Sequence, residues 1–207
     1  MAAFWDRKEK PYVVFLFLMP LVWMVSSLLL GRYFPDPGKA LMNVSGICAS
    51  AFVIAVLLLT PIAKFTQFRV ISRYRRFVGL GAFLYSILHL IVYLVLFAGL
   101  SVSWIISDLV EKPYIYAGVL AVIILSALAV TSTKKMMRRL GKNWKVVHRL
   151  VYLVAACIVA HLWLQVKSDI TVAMWVSVFI VPLLVIRISQ SSYYKKYFKK
   201  TLKKGLR

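Results

Sequence analysis

Three histidines, His89, His148 and His161, have the chemistry and the positions that say most about this sequence. Each lies within or at the end of an apolar run of about 20 residues, the length that crosses a lipid bilayer. Ionisable side chains are costly at such depths and usually have a function there. Because a neutral imidazole is also a common metal ligand, these histidines are the candidate metal ligands of the chain.

Two of the histidines are expected at the same depth. At 1.5 Å per helical residue, His89 lies roughly 18 Å and His161 roughly 21 Å from the starts of their runs, near residues 77 and 147. Both runs cross in the same direction, so both imidazoles fall in the outer half of the bilayer. The pair predicts one heme iron with an imidazole on each face. The alternative is that each histidine only forms hydrogen bonds to hydroxyls or carbonyls between helices.

The helical face that carries His89 offers further contacts to a flat cofactor. Tyr85 and Tyr93 lie one turn to either side of His89, and Gly81 lies one turn beyond Tyr85. Gly81 has no side chain and would give a macrocycle clearance, and Tyr85 would provide a hydroxyl. We therefore predict Gly81 and Tyr85 as cofactor-binding residues, with close helix packing at Gly79 and Gly81 as the alternative.

His148 predicts a different, inner site. It precedes His161 by 13 residues, and at 100° per residue the two side chains differ by about 220° and point to different sides of the helix. The residue 13 positions before His89 is Arg76, so no second histidine faces His148 at the inner level. Its cationic neighbours favour an anionic ligand such as heme propionates, a flavin phosphate or a quinone oxygen. These neighbours are Arg75, Arg76, Lys145 and Arg149. The alternative is a histidine that contacts lipid headgroups.

The elements that must position these residues are transmembrane helices. The chain has 207 residues, of which 62% are apolar, and a mean hydropathy of +0.82, which is too apolar for an ordinary soluble domain. The sequence predicts an all-α membrane protein, a bundle of six transmembrane helices. The predicted spans are 11–30, 41–62, 77–99, 114–133, 147–166 and 171–188. The segment 101–113 is expected to form a short helix at the membrane interface.

The charges predict the orientation of this bundle. The formal net charge is +21, and all but four of the 27 basic residues fall on one side of the predicted spans. The positive-inside rule therefore places both termini in the cytoplasm. We expect a cytoplasmic N-terminus over 1–10, a heme-binding transmembrane domain over 11–188 and a basic tail over 189–207. The tail is expected to bind anionic membrane lipid rather than nucleic acid.

Several motifs carry a family resemblance that covers nearly the whole chain. They are Arg75-Arg76-Phe77-Val78-Gly79-Leu80 before Tyr85 and Leu88-His89, then Lys112-Pro113-Tyr114, Thr131-Ser132-Thr133, Leu140-Gly141-Lys142, Trp144, His148-Arg149-Leu150-Val151-Tyr152 and finally His161. In order and spacing they resemble the MsrQ family, the heme-binding membrane subunits of bacterial protein-methionine-sulfoxide reductase systems, within the wider ferric-reductase-like transmembrane domains. Val147 stands where leucine is expected. Arg76 replaces the inner ligand of two-heme ferric reductases, which argues against a second bis-histidine heme.

The resemblance implies a function and a set of partners. The family implies b-type heme held by histidines, electrons taken from the quinone pool, and in some descriptions FMN. It implies delivery of the electrons to MsrP, a periplasmic molybdopterin enzyme that reduces methionine sulfoxide and so repairs oxidised periplasmic proteins. The location implied is the bacterial inner membrane. Reduction of the substrate then takes place on the partner, and no catalytic residue is predicted in this chain.

Two other functions compete with an electron-transfer cytochrome, namely a small transporter or channel and a non-catalytic assembly subunit. The second and fourth predicted spans carry no charged residue, which disfavours a pathway for solutes or ions. A self-sufficient reductase is also disfavoured, because no glycine-rich dinucleotide motif follows a strand and the length leaves no room for a nucleotide-binding domain. Visible absorbance separates the cytochrome from the other two.

Overall fold

The computed structural model describes residues 10–66 and 71–189, and in these ranges the chain forms helices joined by short connections and contains no strand. The predicted basic tail from residue 190 onward and the N-terminal residues 1–9 lie outside the described residues. The prediction of an all-α fold is therefore confirmed for the part of the chain that forms the predicted spans.

The helices of the described ranges alternate between long apolar and short connecting elements. They are α1 (Lys10–Leu29), α2 (Pro37–Phe65), α3 (Ile71–Val92), α4 (Val102–Glu111), α5 (Tyr114–Thr131), α6 (Lys134–Leu140), α7 (Asn143–Val147), α8 (Val151–Gln165) and α9 (Thr171–Ser189). A π-helical turn, Tyr93–Phe97, continues α3, and a 3₁₀ turn, His148–Leu150, joins α7 to α8. The predicted interfacial segment corresponds to α4.

Five helical segments are long and apolar enough to cross a membrane, by length and composition. They are Pro37–Ala63, Tyr74–Phe97, Tyr114–Thr131, Asn143–Gln165 and Thr171–Ser189. The first predicted span corresponds to α1, whose apolar stretch Phe17–Leu29 is shorter. The chain is thus a multi-pass membrane protein. Its orientation, inferred from the basic residues, stays a prediction, and "inner" and "outer" are used below in that sense.

Local sequence signals set several helix ends. The Asp36 side chain accepts a hydrogen bond from the backbone nitrogen of Lys39 at 2.9 Å, and Pro37 occupies the first turn, so α2 begins before its apolar run. Pro113 directly precedes α5. Thr133 caps α6 by accepting a hydrogen bond from the backbone nitrogen of Met136. These caps place short polar connections between the long helices.

The core of the bundle lies between α2, α3, α5, α8 and α9. Helix α2 packs along α3, and α5 packs along α8. The buried core side chains are Val53, Val56, Leu57, Val78, Ala82, Ala121, Ile124, Leu125, Leu128, Val151, Val154, Ala155, Cys157, Val176 and Ile180. Many large apolar side chains on the surface of the bundle are exposed, as expected for surfaces that contact lipid. The helix pairs α2/α3 and α5/α8 are the frame that carries the histidines.

Candidate functional site

The structure brings His89 and His161 together between the two helix pairs. His89 lies on α3 and His161 on α8, and their ring centroids are 6.3 Å apart with an angle of 81° between the ring planes. Both side chains are half-buried. The matched depth expected from the sequence is consistent with this close approach of the two rings.

Both imidazoles are held by the same type of hydrogen bond. Nδ1 of His89 lies 3.0 Å from the backbone oxygen of Met42, and Nδ1 of His161 lies 2.8 Å from that of Tyr114. Because a carbonyl oxygen only accepts, Nδ1 is the donor in each ring, and in the neutral ring Nε2 keeps its lone pair. The buried Ser45 hydroxyl lies 3.3 Å from Nδ1 of His89 and adds a second contact. Within the described residues, neither Nε2 has a hydrogen-bond partner, so both remain available as ligands.

Glycines give the imidazoles access to these carbonyls. Gly46 comes four residues after Met42, and Gly118 comes four residues after Tyr114. A methyl group at Gly46 would lie 3.1 Å from Cε1 of the His89 ring, and one at Gly118 would lie 2.9 Å from Nδ1 of His161. Real side-chain atoms essentially never come as close as the distance at Gly118, and at Gly46 the His89 ring would have to shift by a few tenths of an ångström. A glycine at each position therefore leaves room for the observed placement of the histidine ring.

The geometry of the pair fits a heme iron. A metal–imidazole bond of about 2 Å, with the ring centre about 1 Å behind the nitrogen, puts two rings on one metal roughly 6 Å apart. The observed separation of 6.3 Å agrees with this value. In a heme site the two histidines would supply two ligands to the iron, and a tetrapyrrole would supply the other four. A hydrogen bond from the second ring nitrogen to a backbone carbonyl is also the usual support of a metal-bound histidine.

A polar group lies immediately outward of the histidine pair. The Tyr93 hydroxyl donates to Oδ2 of Asp108 at 3.0 Å, and Nζ of Lys112 contacts Oδ1 of Asp108 at 2.6 Å. The Lys112 ammonium holds the pKa of Asp108 below its ordinary value, and a smaller effect of the Tyr93 hydrogen bond acts in the same direction. The same contact raises the pKa of Lys112. Both groups are therefore charged at neutral pH.

His148 lies apart from this pair, at the other end of α8. Its Nε2 lies 3.3 Å from the Ser132 hydroxyl, its Nδ1 lies 3.2 Å from the backbone oxygen of Trp144, and its ring packs against the Trp144 indole with centroids 4.0 Å apart. Arg75 lies within electrostatic range of His148. The structure thus gives both ring nitrogens of His148 protein neighbours, and its role as a cofactor ligand stays a prediction.

The cationic residues predicted around His148 differ in exposure. Arg75 and Arg76 are half-buried at the inner end of α3, whereas Arg149 is exposed. Arg187, at the end of α9, places its guanidinium 5.4 Å from the centre of the Tyr152 ring and lies within electrostatic range of Arg75. Arg187 was not among the predicted site residues, because a basic residue in the last turn of a span is typical of any charge at the membrane interface.

Gly81 and Tyr85 lie where α1, α2 and α3 pack together. The Tyr85 ring is buried and stacks on Phe52 with centroids 5.2 Å apart, and its hydroxyl donates to the backbone oxygen of Phe17 at 2.7 Å. A methyl group at Gly81 would come within 2.7 Å of the Phe52 ring and 2.8 Å of the Phe17 ring. These contacts correspond to the helix-packing alternative, and a contact of Gly81 or Tyr85 with a cofactor stays a prediction.

The chain is similar in sequence to known membrane proteins. Residues 45–159 match the family model described as ferric reductase like transmembrane component. The chain is 38% identical over 151 residues to the "Protein-methionine-sulfoxide reductase heme-binding subunit MsrQ" of Pectobacterium carotovorum, with 72% of this chain and 76% of that protein covered. It is 39% identical over 150 residues to the protein of the same name from Brucella ovis, with 72% and 68% covered. The chain forms an all-helical membrane bundle with two neighbouring histidines and matches these proteins over most of its length. It therefore belongs to the ferric-reductase-like transmembrane family, in its MsrQ group of heme-binding subunits.

Proposed function

We propose that this chain is a membrane b-type cytochrome that carries electrons to a periplasmic partner. In this proposal His89 and His161 are the axial ligands of one heme in the outer half of the bilayer, which supplies one-electron transfer. The observation that carries the proposal is the 6.3 Å pair of imidazoles with both Nδ1 atoms bonded to backbone carbonyls. The names of the relatives, heme-binding subunits, support it.

The residues of this chain have separate parts in that function. His89 and His161 hold the iron in place, and the carbonyls of Met42 and Tyr114 keep both Nε2 atoms directed at it. The apolar residues around them exclude water and keep the site at low dielectric. The outer connections of the bundle, near Asp108, are the surface at which we propose that a periplasmic molybdopterin methionine-sulfoxide reductase, MsrP, receives the electrons.

The donor side is proposed at the inner end of the bundle. His148 and Arg75 lie there beside Arg187, in a region that offers cationic groups and a protonatable ring. Such a group suits a quinone oxygen, a flavin phosphate or the propionates of a second heme. We propose quinol of the bacterial inner membrane as the electron source, either directly or through FMN bound at this end.

Absorbance of the purified protein tests the heme assignment. The wild type is expected to show the Soret and reduced α bands of low-spin heme, and His89→Ala and His161→Ala each to lose them because an axial ligand is missing. His148→Ala is the matched control, because it makes the same substitution at a histidine outside the His89/His161 pair. A heme-to-protein ratio of one that His148→Ala leaves unchanged would exclude a second heme at the inner end and leave that end to quinone, flavin or no cofactor.

Contrary results would be equally informative. Retention of the low-spin bands in both His89→Ala and His161→Ala would exclude these residues as ligands. A colourless wild-type protein that mediates solute flux would instead favour the transporter. A protein with neither heme absorbance nor solute flux would favour the assembly subunit.

A further inference from the structure

A chain of contacts connects the two histidines around the outer end of the site. Tyr93 is one helical turn outward of His89 and begins the π-helical turn of α3. Its hydroxyl bonds Asp108 on α4, and the second carboxylate oxygen of Asp108 bonds Lys112. The helix of His89 is therefore tied to the segment that connects α4 to α5.

The same segment carries the acceptor for the other histidine. Lys112 is followed by Pro113, whose ring fixes its backbone φ angle, and then by Tyr114, the first residue of α5. The Tyr114 carbonyl accepts the hydrogen bond of His161, and the Tyr114 ring lies edge-on to the imidazole with centroids 5.5 Å apart. Only Pro113 thus separates Lys112 of the ion pair from Tyr114, whose carbonyl orients His161.

We propose that Asp108 is a positioning residue for the axial imidazoles: it holds the start of α5 against α3 and so fixes the angle between the His89 and His161 ring planes. The inference rests on the proposed heme site and goes beyond it, because it assigns a carboxylate on α4 a role in the electronic properties of the heme. Partners that orient metal ligands commonly tune the metal itself. The near-perpendicular arrangement of 81° is the feature that the link maintains.

The burial of Asp108 distinguishes it from the neighbouring acid. The Asp108 side chain is 17% exposed and bonds both Lys112, at the end of its own helix, and Tyr93, which continues α3. Glu111, on the same helix, is exposed and receives a hydrogen bond from Ser107 within α4. Glu111→Gln therefore removes the same charge from the same helix without breaking the link, and serves as a matched control for Asp108→Asn.

Electron paramagnetic resonance of the ferric protein tests the inference, because the anisotropy of low-spin bis-imidazole heme depends on the angle between the ligand planes. Asp108→Asn and Tyr93→Phe are expected to retain heme but to move the highest g value away from that of the wild type. Asp108→Asn should also raise the midpoint potential, since it removes a negative charge near the ferric state. Glu111→Gln and Tyr116→Phe, an exposed tyrosine in the same region, should match the wild type in g values.

Each other outcome is decisive. Unchanged g values in both Asp108→Asn and Tyr93→Phe, with heme bound, would overturn this inference and leave the proposed function intact. Loss of heme from both would also overturn it, because a positioning role leaves the axial bonds in place. Absence of low-spin heme from the wild type would overturn the heme site and this inference together. Tyr93→Phe preserves every formal charge, so a change in its g values cannot arise from the loss of a charged group.

Discussion

At the scale of single residues, the histidines could be predicted but their supports could not. His89 and His161 are conspicuous as ionisable groups at equal depth in apolar runs. Their hydrogen-bond acceptors are backbone oxygens of Met42 and Tyr114, which no side-chain pattern reveals. Gly46 and Gly118 leave only the weak signal of a small residue in an apolar helix, which is also typical of ordinary packing.

The two glycines beside the histidines lead to a prediction about heme affinity. Gly118→Ala should lower heme affinity roughly 10-fold or more, as loss of a support of a metal ligand commonly does, because the added methyl group would displace the His161 ring. Gly46→Ala should act in the same direction at His89. Titration of the apoprotein with hemin, followed at the Soret band, measures the affinity.

Gly79→Ala is the control for these variants. A methyl group at Gly79 meets only Val56 at 3.9 Å, an ordinary contact. Since alanine favours a helix over glycine by about 1 kcal/mol, this variant should bind heme like the wild type and be no less stable. Equal heme affinity in Gly118→Ala and Gly79→Ala would show that the close approach at Gly118 has no functional effect.

At the scale of elements, hydropathy predicted the long helices and missed the features that depend on polar residues. Helix α2 begins at Pro37 rather than residue 41, because the Asp36 cap extends it beyond the apolar run. The basic connection after α5 folds into α6 and α7, whose charged sequences a search for apolar runs passes over. The π-helical turn at Tyr93 has no hydropathy signature at all.

Packing of the first three helices provides the prediction at this scale. Gly81→Ala should destabilise the protein by about 1–3 kcal/mol, the usual cost of overpacking, because the methyl group would overlap the Phe52 and Phe17 rings. Thermal unfolding in detergent measures the effect, with Gly79→Ala, two residues away on the same helix, as control. If Gly81→Ala instead removed heme without changing stability, the predicted cofactor contact at Gly81 would be favoured over the packing role.

At the scale of the whole molecule, the fold class followed from composition and the orientation rests on charge. The all-helical bundle is what a chain of this hydropathy must form in lipid, since every backbone polar group needs an internal partner. Sidedness depends on how the basic residues interact with the membrane during insertion, which the folded bundle does not record. The connection around α6 and α7 is strongly basic, whereas α4 carries Asp108 and Glu111.

Labelling of single cysteines tests the predicted orientation. In a background in which Cys48 and Cys157 are replaced by alanine, Ser103→Cys on α4 should react with a membrane-impermeant maleimide in intact spheroplasts, and Lys142→Cys should not. Both positions are exposed, so a difference reports sidedness rather than burial. Inside-out vesicles provide the complementary control, and the opposite pattern would place the histidine pair in the cytoplasmic half.

Each backbone carbonyl that orients a histidine belongs to a residue followed four positions later by a glycine, and this repeated arrangement has a consequence for assembly. Met42 and Gly46 orient one imidazole within the α2/α3 hairpin, and Tyr114 and Gly118 orient the other between α5 and α8. Each histidine therefore has its hydrogen-bond acceptor within its own helix pair, and neither pair needs the other to orient its imidazole. We expect the proposed heme to bind only where the two pairs come together, and a chain truncated after α3 to keep the contact of His89 with Met42 but to lack the second ligand.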